Sequence, residues 1–592
     1  MDKTNMNNDL EKMRHSASHL LAHSVMELYP NTKLGIGPAI DDGFYYDFEF
    51  ADPISVQDLE KIQAKMEGLK GQDLRFSSSN LPIKEAKEEM AGQPYKLELI
   101  EDLEKTGQQE VTFYQSGDFI DLCKGPHLNS YKEIGIFKLD RLAGAYWKGS
   151  EKNQMLTRIY GLAFMKQKDL DEYLQKREEA LTKDHRELNK KLDYFSQNEQ
   201  VGTGLILWHP NLSVVREEIE LYWRREHRKR GYQYLYTPHI GKRDLWDRSG
   251  HTDHYKNLMF PSLKDDREEE YFLKPMSCPF HIMIYNSRPR SYKDLPLRWC
   301  ELGTVYRYEL EGVRHGILRP RGFTQDDAHI ICAPESVVEE LEGVLDFAIE
   351  INRVFGFEKL HYELSLRDPS APSKYIGESD AWDIGEKTLK KILDGRKVEY
   401  KIGIGEAKFY GPAIDLKVED AMGRLWQGTT IQFDFNLPER FNMTYIGANG
   451  KEYRPFMVHR TVLGSMERFI GTLIENYGGA FPVWLSPVQV TVIPISQEQT
   501  PYAEEAAKQI RTVEQLSGPI RVTVDNRDET MQNKIRHAQE QKIPYMLVVG
   551  KREQAENTVN VRLRTEQSLG AVSLEKFIEH LKEKIETKSF DL

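Results

Sequence analysis

Only four of the 592 residues are cysteine: Cys123, Cys278, Cys300 and Cys332. That is too few for a disulfide scaffold, and it points to a reducing compartment where thiols stay free, buried or metal-bound. No long apolar run is present, which excludes a transmembrane helix. The opening MDKTNMNNDLEKM lacks the apolar stretch of a secretory signal, so a cytoplasmic location and no membrane partner are expected. No internal repeat or low-complexity tract interrupts the chain. Neither a GxxxxGKS/T nor a GxGxxG stands at a strand-to-helix turn, so the two glycine-loop modes of phosphate binding are not indicated. Net charge is −12, which excludes a uniformly basic, histone-like chain but leaves room for a local basic patch.

What is present is ordinary globular composition, 39% apolar and 10% aromatic, on a chain long enough for about three or four domains. A polar tail of about a dozen residues precedes HSASHLLAHSVMELY, which has helical periodicity. Strand-like and turn-rich pieces run on to about residue 165. Residues 166–195 are highly charged and contain no glycine or proline, while Leu174, Leu181, Leu188 and Phe195 recur every seven residues. That spacing predicts one long amphipathic helix suited to a linker. Aromatic strands and helices fill 200–483. From 484, VQVTVIPI, PIRVTVD and YMLVVG alternate with helical segments, as in a small α/β domain. There VRLR puts Arg562 and Arg564 on one strand face, either a solvated edge or a nucleic-acid contact.

Two constellations carry chemistry. His15, His19 and His23 share a helix face by their i, i+4, i+8 spacing, and DLCKGPH adds Asp121, Cys123 and His127. Read by donor type, His15, His19, Cys123 and His127 are a candidate zinc set; scattered core histidines are the competing reading. The second constellation is richer. TVYRYEL points Val305, Arg307 and Glu309 one way, and GFTQDDAHIIC puts Phe323, Gln325, Asp327 and His329 on one face. RLWQGTTIQFDF does the same with Thr430, Gln432 and Asp434. Strand faces this polar are costly to bury dry, so they predict a substrate floor. The loop EGVRHGILRPR between the first two strands offers Arg314, Arg319 and Arg321 for phosphates. HRTVLGSMERFIGTLIENY reads as a helix with Thr461, Ser465 and Arg468 as its polar stripe.

The succession KPMSCPFH, YRYELEGVRHGILRPRGFTQDDAHI and VHRTVLGSMERFIG resembles the bacterial-type threonyl-tRNA synthetases, a family of class II aminoacyl-tRNA synthetases. HSASH with CKGPH is similar to that family's editing domain, DHRELNKKLDYF to its linker helix, and YQYLYTPHI to motif 1, whose Pro238 implies a homodimer interface. The resemblance covers nearly the whole chain. It implies a multidomain α+β and α/β protein: an α+β editing domain at 1–165, a linker helix at 166–198, an antiparallel-sheet class II catalytic core at 199–483, and an α/β anticodon-binding domain at 484–592. Only a short tail stands where the family often carries a further small domain.

The implied activity is ligation of threonine to threonine tRNA with ATP and Mg²⁺, with hydrolysis of mischarged seryl-tRNA. By the resemblance, Cys278, His329 and His459 hold one zinc per chain. Gln325, Asp327, Tyr410, Gln432 and Ser465 surround threonine. Arg307 holds the α-phosphate, Glu309 reads the adenine amino group, Phe323 stacks on the base, Arg319 and Arg468 hold the triphosphate, and Gln427 lies near the ribose. Arg307, Gln325 and Arg468 are the implied catalytic set. For editing, His15, His19, Cys123 and His127, with Lys96 and Asp121, surround the mischarged ribose without metal, which replaces the zinc reading of those residues. Glu553 and Arg562 match anticodon-reading positions. Two positions depart from the family: Asp528 replaces a usual asparagine, and Ala413 in FYGPAID replaces a usual lysine beside the reacting carboxylate. A trans-acting deacylase would not need the intact second and third motifs. An RNA-binding regulator built on a synthetase scaffold has only Ala413 in its favour.

Overall fold

The computed structural model describes residues 3–150, 152–310, 312, 314–420 and 423–592, with backbone alone for 3–7. The chain forms two compact units, Met1–Glu178 and Glu179–Leu592. Among the described residues no helix is long and apolar enough to cross a membrane.

In the first unit, helix α1 (Lys3–Leu28) takes in most of the segment expected to be a polar tail. Its inward stripe of Met13, Ala17, Leu20, Leu21 and Val25 is buried. The stripe packs on an antiparallel sheet whose long strands are Gly43–Glu49, Ile136–Tyr146 and Met155–Phe164. A helix over Asp58–Lys70 joins that core through Leu59, Ile62, Met66 and Leu69. A three-stranded sheet (Ser77–Pro82, Glu110–Ser116, Phe119–Leu122) and a helix over Pro94–Lys105 enclose a separate cluster around Ile100 and Phe113. These helices stand where strands and turns were expected; the 3–4 spacing of Leu59, Ile62, Met66 and Leu69 is their signal.

The expected single linker helix is two, α2 (Gln167–Lys183) and α3 (His185–Leu192). The break is Asp184, whose carboxylate accepts the Arg186 main-chain N–H at 2.8 Å and so caps a new helix. The seven-residue stripe is broken with it, since Leu181 is 50% exposed while Phe195 is buried.

The second unit is built on an eight-stranded sheet. Its central strands are β1 (Leu297–Tyr306), β2 (Gly322–Cys332), β3 (Ala413–Glu419), β4 (Leu425–Asp434) and β5 (Phe456–Thr461), in the spatial order β1-β2-β5-β4-β3, all antiparallel. Alternation along each strand sorts the two faces. Ala328, Ile330, Ile431, Phe433 and Val458 point to one side and are covered by helices α4 (Pro210–Lys229), α6 (Val337–Val354) and α7 (Met466–Tyr477). On the other side α5 (Cys278–Asn286) packs on Trp299, Ile331 and Met457 and leaves the polar residues of β2 and β4 to line a cleft. Strand β1 stops at Tyr306, so Arg307 and Glu309 stand in the segment beyond it. The segment from His459 is not one helix. β5 runs to Thr461, Gly464 turns the chain with φ +83°, and Ser465 caps α7 by accepting the Arg468 N–H at 3.2 Å.

One buried carboxylate fixes this arrangement. Asp326, on the helix-covered side of β2, accepts from Trp223 Nε1 (2.7 Å), Arg460 Nη1 (3.0 Å) and the main-chain N–H groups of Val462 (2.6 Å) and Leu463 (2.7 Å). The chain from about 488 onward adds a five-stranded mixed sheet with two parallel and two antiparallel pairings, in keeping with the α/β pattern. Arg564 lies past the end of its strand and donates to the carbonyls of Ala480, Phe481 and Lys542, so it is a structural clamp and does not share an open face with Arg562.

Beside Asp326, Glu467 in the first turn of α7 accepts the Thr324 main-chain N–H at 2.8 Å, with Arg216 Nη1 at 3.5 Å. Burial lifts its carboxyl to about 7 despite that arginine. The folded state therefore holds this proton more tightly than the unfolded chain does. Its contribution to stability is complete below the ordinary value of 4.5 and falls as pH rises through about 7. At about 1.4 kcal/mol per pH unit the loss is on the order of 3 kcal/mol. Glu467→Gln should flatten that slope: in urea titrations at pH 5, 6, 7 and 8, the variant should gain on the wild type as pH rises. Parallel curves would refute the assignment.

Candidate active sites

The cleft in the second unit gathers every residue expected of an aminoacylation site. Cys278, His329 and His459 line it, as do Gln325, Asp327, Tyr410, Gln432 and Ser465, and so do Arg307, Glu309, Arg319, Phe323, Gln427 and Arg468. The convergence is a matter of register. His329 on β2 lies opposite His459 on β5, which lies opposite Gln432 on β4, so the three share one row and one face. Cys278 reaches the same point as the first residue of α5. Tyr255, Met276 and Lys408 also line the cleft. They stand in irregular segments with no periodic pattern to mark them, and sequence reasoning missed them. Of the loop arginines, Arg319 lines the cleft, whereas Arg321 donates to the Glu309 carbonyl at 2.9 Å and lies over the Tyr308 ring.

Donor atoms of Cys278, His329 and His459 lie within 4.8 Å of one another. Each imidazole is oriented by a second group. His459 Nε2 lies 2.8 Å from Asp434 Oδ2, and His329 Nδ1 lies 2.7 Å from His281 Nδ1, whose other nitrogen is 3.4 Å from Glu301. That leaves His459 Nδ1 and His329 Nε2 as the donors, the pattern in which outer partners fix a metal-binding histidine. Burial, then the charges of Asp327 and Asp434, push the Cys278 thiol well up, and burial pushes His329 well down. A neutral imidazole is ready to ligate; a buried thiol beside two carboxylates ionises only if a cation joins it. The donor set therefore fits a divalent metal. Beside it the Tyr410 hydroxyl donates to Gln432 at 2.6 Å and its ring stacks on His459, while Gln325 Oε1 is buried without a partner.

The rest of the cleft is short of negative charge. Arg468 donates to the carbonyls of Leu318 (3.1 Å) and Gln427 (3.2 Å). Burial, together with Arg307 and Arg319, holds it down at about 10. Arg307 lies over the Phe323 ring, 5.0 Å from its centroid, and Arg319 pairs with Glu309 at 3.0 Å. Three guanidiniums facing one carboxylate fit a polyphosphate. Gln427 is tied to Asp415 and Thr430, both at 2.6 Å.

The first unit holds the other cluster. His15 and His19 come from α1, and Cys123 and His127 from the segment after Phe119–Leu122, with donor atoms within 4.8 Å. Cys123 Sγ is 3.3 Å from both His15 Nε2 and His127 Nε2. Lys96 pairs with Asp121 at 2.6 Å, Tyr46 donates to Asp121 at 2.6 Å, and His19 Nδ1 lies 3.7 Å from the same carboxylate. Burial lowers all three histidines and lifts Cys123 to about 11, so the cluster is three neutral imidazoles around a protonated thiol. Phe76 stacks on His127. His23 is engaged elsewhere, with Tyr131 and Glu27. In the carboxy-terminal sheet Arg562 is half-buried at a strand irregularity, and Glu553 accepts the N–H of Gly550 within its own short helix.

Three family models match the chain: the tRNA synthetase class II core domain (G, H, P, S and T) over 261–477, an anticodon binding domain over 489–584, and the threonyl and alanyl tRNA synthetase second additional domain over 111–160. The chain is 49% identical over its full length to a threonine–tRNA ligase of Dehalococcoides mccartyi, covering 99% of that protein. It is also 49% identical over 98% of its length to that of Aquifex aeolicus, covering 90% of it. Among solved structures, one described as the RNA binding domain of threonyl-tRNA synthetase from Cryptosporidium parvum matches with a TM-score of 0.63 and 35% identity. That match covers 68% of this chain and 98% of the other.

Proposed function

The chain belongs to the threonine–tRNA ligases, and from that premise we propose how its two clusters divide the work. The enzyme activates threonine with ATP and Mg²⁺, transfers it to tRNA, and edits mischarged product. We assign editing to 1–165, the linker to 166–198, synthesis to 199–483 and anticodon reading, through Glu553 and Arg562, to 484–592.

In the synthetic cleft, Cys278, His329 and His459 would hold one zinc with an open position. The zinc, when bound, would demand a hydroxyl and an amino ligand and so reject valine, which an apolar pocket separates poorly from its isostere. The observation that carries this reading is the buried trio with its outer partners Asp434 and His281. Gln325, Asp327, Tyr410, Gln432 and Ser465 fix the amino acid around it. Arg307 neutralises the α-phosphate under attack, Arg319 and Arg468 hold the outgoing phosphates, Phe323 stacks on adenine, Glu309 reads its amino group, and Gln427 borders the ribose. Positioning and charge neutralisation supply the acceleration. Pro238 marks a homodimer surface, supported by its exposed neighbours Tyr236 and Ile240. The family's role in translation places the enzyme in the cytoplasm.

Serine keeps the hydroxyl, and its missing methyl is worth only about 1–3 kcal/mol, so a second sieve is needed. Neutral imidazoles at His15, His19 and His127 can take a proton from water attacking the seryl ester, with Cys123 beside them and Lys96 paired to Asp121. The ammonium of Lys96 next to this cluster favours a metal-free site.

Ala413 is buried and faces Gln432 and Ser365 across the sheet. The cation that the family usually places there has a substitute in Lys408, which lines the same cleft.

Metal analysis should find one zinc per chain. Cys278→Ser should lose both the zinc and threonine-dependent ATP–pyrophosphate exchange while retaining seryl-tRNA hydrolysis. Two equivalents would instead point to a second metal at His15, His19, Cys123 and His127. The double variant His15→Ala with His19→Ala should accumulate seryl-tRNA at near-normal threonylation, and undiminished serine clearance would sink that site. Lys408→Met should slow threonyl-adenylate formation about tenfold, roughly 1.4 kcal/mol of barrier, at saturating ATP. An unchanged burst would remove Lys408 from the chemistry.

A further inference from the structure

His185, the first residue of α3, is wholly buried and does not line the cleft. Its Nδ1 lies 2.7 Å from Glu475 Oε1, and its main-chain N–H donates to the same oxygen at 3.3 Å. Its Nε2 accepts the main-chain N–H of Ile317 at 3.3 Å. Only the tautomer with the proton on Nδ1 satisfies both partners. His185, Asp184 and His315 bring donor atoms within metal-binding reach of one another. Both nitrogens of His185 are already used by the protein, however, and Arg186 takes the Asp184 carboxylate through its main-chain N–H, Nε and Nη2. The ring is a connector.

What it connects is specific. Glu475 lies on α7, seven residues after Arg468. Ile317 belongs to the loop between β1 and β2, two residues before Arg319. Next to it Gly316 has φ +53°, and a Cβ there would overlap the His185 ring, so the loop backbone is seated on the imidazole. Ile317 and Leu318 are buried, and a Cβ at Gly471 of α7 would collide with Leu318. The Leu318 carbonyl accepts from Arg468 Nε. The linker, the loop and α7 therefore meet at one side chain; the loop runs on from there to Arg319, and α7 carries Arg468.

We propose that His185 is a positioning residue for adenylate formation: the linker helix α3, through this imidazole, sets the loop that presents Arg319 and the carbonyl that orients Arg468. This makes the linker a working part of the synthetic site as well as a connection to the editing unit. The proposal rests on the reading that Arg319 and Arg468 hold the triphosphate of ATP.

The test is ATP–pyrophosphate exchange with the full-length enzyme, with KM taken separately for ATP and for threonine. His185→Ala should raise KM for ATP about tenfold or more. Zinc content, KM for threonine and seryl-tRNA hydrolysis should stay close to wild type. Gly316→Ala, which pushes a methyl into the same ring, should raise KM for ATP likewise. The double variant should be little worse than the poorer single one, because removing the imidazole clears the methyl's closest contact and leaves only Arg186 Cγ at 3.1 Å and the positive φ. If His185→Ala unfolds the protein, His185→Gln and Gly316→Ala carry the test. An unchanged KM for ATP in folded variants would overturn the proposal, as would equal losses for ATP, threonine and editing. Arg319→Ala separates the two readings. If Arg319→Ala raises KM for ATP and the His185 variants do not, this inference fails while the ATP assignment stands. If Arg319→Ala leaves KM unchanged, the ATP assignment fails and takes the inference with it.

Discussion

The cleft depends on a single buried ion pair. Asp326 and Arg460 are both fully enclosed, and a carboxylate in that setting is tolerable only because four donors converge on it. Those donors come from α4, from β5 and from the turn after β5. The pair therefore fixes the register of β5 against β2 and the start of α7 in one stroke. A slip of one residue would turn His459 to the helix side and bring Arg460 to the cleft, since neighbours on a strand face opposite ways. The site's polar face and its apolar underside are two readings of one alternation, and Asp326 is the point where that alternation is locked.

The two clusters share a vocabulary of histidine and cysteine yet differ in electrostatics. In the synthetic cleft, Cys278 lies between carboxylates that would stabilise a cation, and the arginines beyond it await an anion. In the histidine-cysteine cluster of the first unit the buried carboxylate is Asp121, and Lys96 pairs with it. Donor type alone does not separate such sites. The charge of the surroundings does, and those surroundings are assembled from segments distant in the chain.

What the sequence made legible follows from this. The strand carrying Gln325, Asp327 and His329 disclosed its cleft face without help, because the period of two holds for as long as the residues stay in the sheet. The candidate metal trio did not: Cys278, His329 and His459 are separated by long stretches, and only resemblance linked them before sheet register and the start of α5 brought them together. Local sequence misled where one residue overrides a pattern. Asp184 is a helix-capping side chain inside an otherwise unbroken helical run, and it divides the linker in two. Gly464 and Ser465 interrupt what reads as one amphipathic helix from His459, so Thr461 reaches the cleft from a strand end. Lys408 and Tyr255 were invisible because irregular segments carry no periodicity. Arg564 reads as a surface cation until its three carbonyl partners are seen.

The crowding of Arg307, Arg319 and Arg468 has a consequence for how the protein behaves in solution. Guanidiniums brought this close under partial burial repel one another, and folding alone offers them Glu309 as counter-charge. The three guanidiniums thus make a cleft suited to an anion. On the proposed assignment the nucleotide is both reactant and counter-charge. Sulfate or phosphate would act on such a cluster by occupation as well as by screening.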